Sequence, residues 1–142
     1  MQRTLILVKP DAFARNLTGE IIARFERKGL RLVALALRTM TRDLAAQHYA
    51  EHEGKPFYEE LVSFITSGPL VAMVLEGDEA VRAARQVIGA TDPLQATTGS
   101  IRGDYAVAVA QNMVHGSDAP ESAVREVSLF FPDLGAAPSG AG

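Results

Sequence analysis

The stretch Asn112-Met113-Val114-His115-Gly116-Ser117-Asp118-Ala119-Pro120-Glu121-Ser122-Ala123 sets a lone histidine between an apolar run and a helix start. An imidazole there can act as a nucleophile: one ring nitrogen attacks if an acceptor fixes the proton on the other. Glu126, two turns into the helix, is the acceptor that the spacing offers, and Ser117 could orient both groups. Ser117, Asp118 and Pro120 are cap-type residues and a first-turn proline, so the helix is predicted to run from about Ala119 to Phe130. Its N-terminus would add favourable partial charge for an anionic group on the histidine. The same pattern also suits a corner histidine with no chemical task.

Phosphoryl transfer needs an in-line nucleophile and cations to neutralise the equatorial oxygens, with the protein chiefly positioning both. Lys9, at the end of the apolar run Leu5 to Val8, and Arg85, Arg102 and His115 are the right set of types. They lie far apart in the chain, so a shared site requires the fold to gather them. Neither G-x-x-x-x-G-K-[ST] nor G-x-G-x-x-G occurs, which removes the P-loop and protein-kinase ways of holding a nucleotide. His48-Tyr49-Ala50-Glu51-His52 matches the H-x-x-E-H pattern of a zinc peptidase, but no third ligand is clearly nominated. Phe57, Leu61 and Val109 read on their own as core residues, and Arg85 as a solvated surface charge.

The elements that must position these residues follow from apolar periodicity. Residues 3–9 read as a buried strand; Thr18-Gly19-Glu20 opens a helix ending before Gly29; Leu30 to Met40 alternates as a second strand. A helical hairpin follows, one arm from Thr41 to about Glu51 and the other from Pro56 with Phe57, Leu61, Phe64 and Ile65 on its apolar face. Leu70 to Leu75 is the third strand, Asp78 to Ile88 a helix, and Tyr105 to Ala110 is predicted as the fourth strand, placing His115 just beyond it. This order predicts an α+β, ferredoxin-like split βαβ sandwich: a four-stranded antiparallel sheet with a helical-hairpin insertion and a C-terminal helix. Residues 89–104 lack periodicity and read as a functional loop. Residues 133–142 have little to bury and are expected to form a tail without fixed structure, leaving one domain over residues 1–132.

Composition narrows the function classes. A chain of 142 residues with 47% apolar content can bury one core. The net charge of -3 argues against a general nucleic-acid binder, so phosphate chemistry needs a local basic pocket. With 11 arginines against 3 lysines, guanidinium forks are the available phosphate grips. The absence of cysteine removes disulfides, thiolate catalysis and cysteine-ligated zinc. No segment approaches a membrane span or a signal h-region, and a cytoplasmic location is the expectation.

The Asn112-to-Asp118 stretch resembles the N-x-x-H-G-S-D signature of nucleoside diphosphate kinases. Lys9-Pro10-Asp11, His48-Tyr49, Lys55-Pro56-Phe57, Ser67-Gly68-Pro69 and Ser100-Ile101-Arg102-Gly103-Asp104 resemble that family in the same order, over about residues 3–132. The resemblance implies the same fold and a ping-pong transfer of a γ-phosphoryl group through His115, phosphorylated at Nε2 while Glu126 holds Nδ1 and Ser117 supports Glu126. It further implies that Lys9 and Tyr49 lie near the transferred group, that His52, Arg85, Thr91 and Arg102 contact nucleotide phosphates, and that Asn112 and Lys9 bind the sugar. The base would lie between Phe57 and Val109 with Leu61 alongside, a stacking clamp with low base selectivity. Mg²⁺ would arrive on the phosphates of the nucleoside di- and triphosphates, with no dedicated metal site on the protein. The family also implies a homo-oligomer, hexamer or tetramer, with residues 89–104 at phosphate-side and subunit contacts. Two departures stand out: Thr98 occupies the place of a common proline, and Asp92 that of a common asparagine. A non-catalytic ligand-sensing domain is the alternative, though a sensor has no use for an activated histidine.

Overall fold

A computed structural model describes residues 1–135. Four strands, β1 (Gln2–Val8), β2 (Arg31–Arg38), β3 (Leu70–Gly77) and β4 (Val114–Gly116), form one antiparallel sheet in the order β2-β3-β1-β4. This is the predicted ferredoxin-like α+β arrangement. The central strands β1 and β3 are covered on both faces, which is why they read as unbroken apolar runs. On one face Ile6, Val8, Met73 and Leu75 pack against Ile21 and Phe25 of α2 (Thr18–Arg27) and Ala84 and Ile88 of α5 (Ala80–Ile88). On the other, Leu5, Leu7, Ala72 and Val74 meet α3 (Arg42–His48), α4 (Tyr58–Ile65) and α7 (Pro120–Phe130). The predicted hairpin insertion and final helix thus form the second helical layer.

The predicted fourth strand is corrected. Tyr105 ends α6 (Ile101–Tyr105), Val107 and Val109 are exposed, and Ala108 bridges only to Gln111. Alternating valines mimic a strand, but a strand here must bury one face against α5. Val114 does so fully, and Gly116 lies so close to Ile88 that a Cβ there would come within 2.6 Å of its Cδ1. The loop expected over residues 89–104 carries a 3₁₀ turn at Pro93–Gln95 and most of α6. Ser100 caps α6, its Oγ accepting from the Gly103 N–H, and a side chain at Gly103 would collide with the Thr97 carbonyl. A further short helix, α1 (Pro10–Ala14), begins on Pro10 directly after Lys9.

At the chain end, half-buried Leu134 packs on the second core and the exposed Gly135 carbonyl accepts from Arg3 at 3.1 Å. Residues 136–142 of the expected tail lie outside the described residues. Asp92 caps the 3₁₀ turn by accepting from the Leu94 N–H at 3.0 Å, a task that suits its carboxylate. Thr98 makes a single bridge to Ser100. No helix of the described residues is long and apolar enough to cross a membrane.

Candidate active site

β4 is only three residues long, yet it fixes the direction of every group around it. Val114 and Gly116 face α5, so the strand's alternation turns His115, paired with Leu7, to the face of α3 and α7. His115 Nε2 lies 2.9 Å from Glu126 Oε1, and Ser117 Oγ donates to the same oxygen at 2.7 Å. Ser117 is anchored twice on β1: its N–H donates to the Leu5 carbonyl at 3.1 Å, and its Oγ accepts from the Leu5 N–H at 3.1 Å. Burial by itself would raise the Glu126 carboxyl. The bonds from His115 and Ser117 outweigh it and hold the group below the ordinary carboxylate range.

The ring orientation corrects one expectation. Glu126 was expected on Nδ1, but it meets Nε2, leaving Nδ1 with no hydrogen bond among the described residues. The reason is geometric. Nδ1 sits beside Cβ, close to the strand, whereas Nε2 is at the far edge of the ring, the edge that α7 approaches.

The scattered cations converge on the segment leading into β4. Lys9 Nζ donates to Asn112 Oδ1 at 2.9 Å, and Asn112 Nδ2 donates to the Thr91 carbonyl at 3.2 Å. Buried Arg102 donates to the carbonyls of Gly89, Asn112 and Val114 at 3.2, 3.1 and 2.6 Å. Arg85 donates to the Gly116 carbonyl at 3.2 Å. Between these anchors Met113 takes a left-handed conformation, φ 75°, unusual for a residue with a long side chain. Burial and the charge of Arg102 push the Lys9 amine down to about 8, against a smaller opposing pull from Asp11. Burial and Arg85 push Arg102 down to about 10. Like charges held this close are best satisfied by a polyanion.

Around His115 the aromatic wall is continuous. The His48 ring stands 4.7 Å from that of His115, nearly perpendicular, and 4.7 Å from that of Tyr49. Burial, with the charge of His115 behind it, drives His48 to about 3, so its ring is neutral. Burial and the Glu126 charge push the Tyr49 phenol up to about 12, leaving a permanent O–H donor. Beyond Tyr49, His52 lies 5.5 Å from the ring of Phe57, with Lys55 Nζ 3.5 Å from His52 Nδ1. Phe57 is 45% exposed and Val109 53%, so neither belongs to the core, unlike the ordinary reading of apolar residues at such spacing. Leu61 is half-buried against the second core. Thr91 is exposed at the start of the 89–104 segment.

The zinc-peptidase pattern comes apart in three dimensions. His48 joins His115 and Glu126, while Glu51 is exposed and His52 turns toward Phe57. His48 is also the neighbour of His115 that the local pattern conceals, since nothing in its spacing announces a contact with a residue 67 positions on, the difference between 115 and 48.

A ferredoxin-like α+β domain that gathers three cations and a carboxylate-bound histidine at one sheet edge belongs to the phosphotransferases. The family model for nucleoside diphosphate kinase matches residues 2–135. The nucleoside diphosphate kinase of Frankia casuarinae is 64% identical over 134 residues, covering 94% of this chain and 98% of that protein. That of Thermobifida fusca is 58% identical over 134 residues, covering 94% and 99%. Among solved structures, the enzyme from Encephalitozoon cuniculi superposes with a TM-score of 0.93 at 42% identity, covering 97% of this chain and 95% of that one. A halophilic enzyme from Halobacterium salinarum in complex with CDP superposes at 0.90 with 50% identity, covering 93% and 88%. The chain belongs to the nucleoside diphosphate kinase family and is an enzyme of that activity.

Proposed function

We propose that the enzyme works by ping-pong transfer: a donor triphosphate gives its γ-phosphoryl group to His115, and an acceptor diphosphate removes it. The observation that carries this reading is the bond between His115 Nε2 and Glu126, which commits the ring proton to Nε2 and leaves the Nδ1 lone pair to attack phosphorus. In the first half-reaction the Nδ1–P bond forms as the bond from phosphorus to the bridging β,γ-oxygen breaks, and the diphosphate leaves with that oxygen. The reverse displacement by a second diphosphate restores the free imidazole. As the ring gains charge, Glu126 stabilises it through Nε2–H, and Ser117 keeps Glu126 from turning away.

Lys9 and Tyr49 serve the transferred group as cation and O–H donor, and Arg85, Arg102, Thr91 and His52 receive the remaining phosphates. Three of the guanidinium donors of Arg102 are spent on backbone carbonyls, so it both shapes the pocket and contributes charge. Asn112 and Lys9, already bonded to each other, bind the sugar hydroxyls. Phe57 and Val109 hold the base by its faces, a mode that every base satisfies, so base selectivity is low. That the Halobacterium salinarum relative was solved in complex with CDP supports nucleotide binding.

Mg²⁺ enters as part of the substrate, on phosphate oxygens and water. The donor set fits that role: Glu126 is bonded to His115 and Ser117, and the Asp118 carboxyl, held below the ordinary carboxylate range chiefly by the Ser122 hydrogen bond, is an ionised group that could meet the ion through water. Exposed Leu35 and Leu37 on the edge strand β2 support self-association, as a hexamer or tetramer. The cysteine-free composition is in keeping with a cytoplasmic setting.

Incubation with γ-labelled ATP and Mg²⁺, followed by a chase with unlabelled diphosphate, tests the cycle. An acid-labile, base-stable label should appear on the wild type, leave on the chase, and be absent from His115→Ala while that variant still binds nucleotide. Normal turnover in His115→Ala would reject the reading.

A further inference from the structure

His48 packs against His115 and Tyr49, yet the phosphoryl transfer gives it no task. Its side chain is 3% exposed, and both ring nitrogens are buried without a hydrogen-bond partner among the described residues. Buried polar atoms are ordinarily satisfied, so two orphan nitrogens on one ring require an explanation. One of them can pair with His115 and Glu126: one ligand atom from each of His48, His115 and Glu126 can be chosen so that all lie within 4.8 Å of one another. Two imidazoles and a carboxylate with a fourth position open form the donor set of a zinc-type ion.

We propose that His48, His115 and Glu126 form an inhibitory site for a borderline divalent transition ion, with Zn²⁺ as the probe. Tetrahedral zinc at about 2.0–2.1 Å from nitrogen places ligand atoms roughly 3.3 Å apart. His115 Nε2 and Glu126 Oε1 are already 2.9 Å apart, so small rotations of the His48 and His115 rings close the set. Mg²⁺ would not compete for it, because a hard ion prefers the phosphate oxygens.

The ion replaces the proton that His115 carries on Nε2. That proton passes to solvent, and Nδ1 takes one up, so the imidazole stays neutral as the opposite tautomer. Glu126 exchanges a hydrogen bond for a metal bond, and His48 ligates through one nitrogen while its other keeps a proton. The Nδ1 lone pair needed for attack is then occupied, and phosphorylation stops although the nucleotide pocket is untouched. This consequence rests on the proposed attack through Nδ1; the binding itself does not.

The test begins with nucleotide-free protein, dialysed against Zn²⁺ in a non-chelating buffer. One ion per chain should bind with a Kd of about 10 µM or tighter, weakened at least about tenfold in His48→Gln and unchanged in His52→Gln. Co²⁺ in place of zinc should give the intense visible bands of a four-coordinate site in the wild type, a readout that needs no variant. Absence of stoichiometric binding, octahedral-type weak bands, or loss in His52→Gln with retention in folded His48→Gln would each overturn the site. With total zinc kept in excess of the nucleotide, whose phosphates also chelate it, zinc should slow formation of the labelled phosphoenzyme at least about tenfold. Normal phosphorylation of zinc-loaded protein would overturn the tautomer exchange. Failure to form any phosphoenzyme in zinc-free protein would instead overturn the ping-pong reading, with the dialysis result still deciding the metal site.

Discussion

Leu7 and His115 stand opposite each other across the β1–β4 ladder, and this pairing decides which way the imidazole points. A slip of one residue would exchange its face for that of Val114 and bury the ring under α5. The register is guarded at three points: Ser117 bonded twice to Leu5, Arg102 bonded to the carbonyls of Asn112 and Val114, and Gly116 fitted beneath Ile88. The direction of the His115 ring is thus a property of sheet register, fixed by backbone hydrogen bonds and packing away from the ring itself.

Glu126→Gln should leave the fold in place and lower kcat about 10- to 100-fold. One charge-assisted hydrogen bond is worth about 1.5–3 kcal/mol, and about 1.4 kcal/mol corresponds to tenfold in rate. Stopped-flow phosphorylation of the variant measures this. A loss as large as that of His115→Ala, in folded protein, would give Glu126 a part in bond making that an orienting group does not have.

Ser117→Ala removes a buried hydroxyl that serves the Leu5 N–H and Glu126 together. Leaving a buried donor unsatisfied costs about 1–3 kcal/mol, so the unfolding free energy should fall by that amount, read as a lower urea midpoint at unchanged slope. An unaltered midpoint would mean that β4 is held without it.

How much of this was legible in the chain differs between the two halves of the site. His115, Ser117 and Glu126 sit within one strand–turn–helix unit, where cap residues and spacing are local signals, and the predicted helix from about Ala119 agrees with α7. The contact of His48 with His115 is not local. It depends on the hairpin insertion folding over the sheet, which no short-range pattern encodes. The misplaced fourth strand has the same origin: Val107 and Val109 carry strand propensity, yet the segment that pairs is the one whose far face fits α5. The ring nitrogen facing Glu126 depends on approach direction, which residue types alone do not contain.

Lys9 gives a pH signature with a definite sign. Its amine, lowered to about 8, is cationic below that value and loses its charge as pH rises through it. Bound phosphate restores the charge, so kcat/KM should fall above about pH 8 while kcat stays flat over the same range. Lys9→Arg should move the limb upward. A limb at the same pH in that variant would assign it elsewhere.

Phe57→Ala should weaken purine and pyrimidine nucleotides alike, by about 1–3 kcal/mol of stacking for each. Calorimetric titration with adenine, guanine and cytosine diphosphates makes the comparison. A loss confined to one base would contradict a clamp that reads only ring faces.

The most direct measurement is the position of the phosphoryl group on the ring. ³¹P and ¹⁵N NMR of protein phosphorylated by Mg·ATP should show a single phosphohistidine at residue 115, attached through Nδ1, that disappears when a diphosphate is added. Attachment through Nε2, modification of another residue, or full turnover with no phosphohistidine at all would contradict the account.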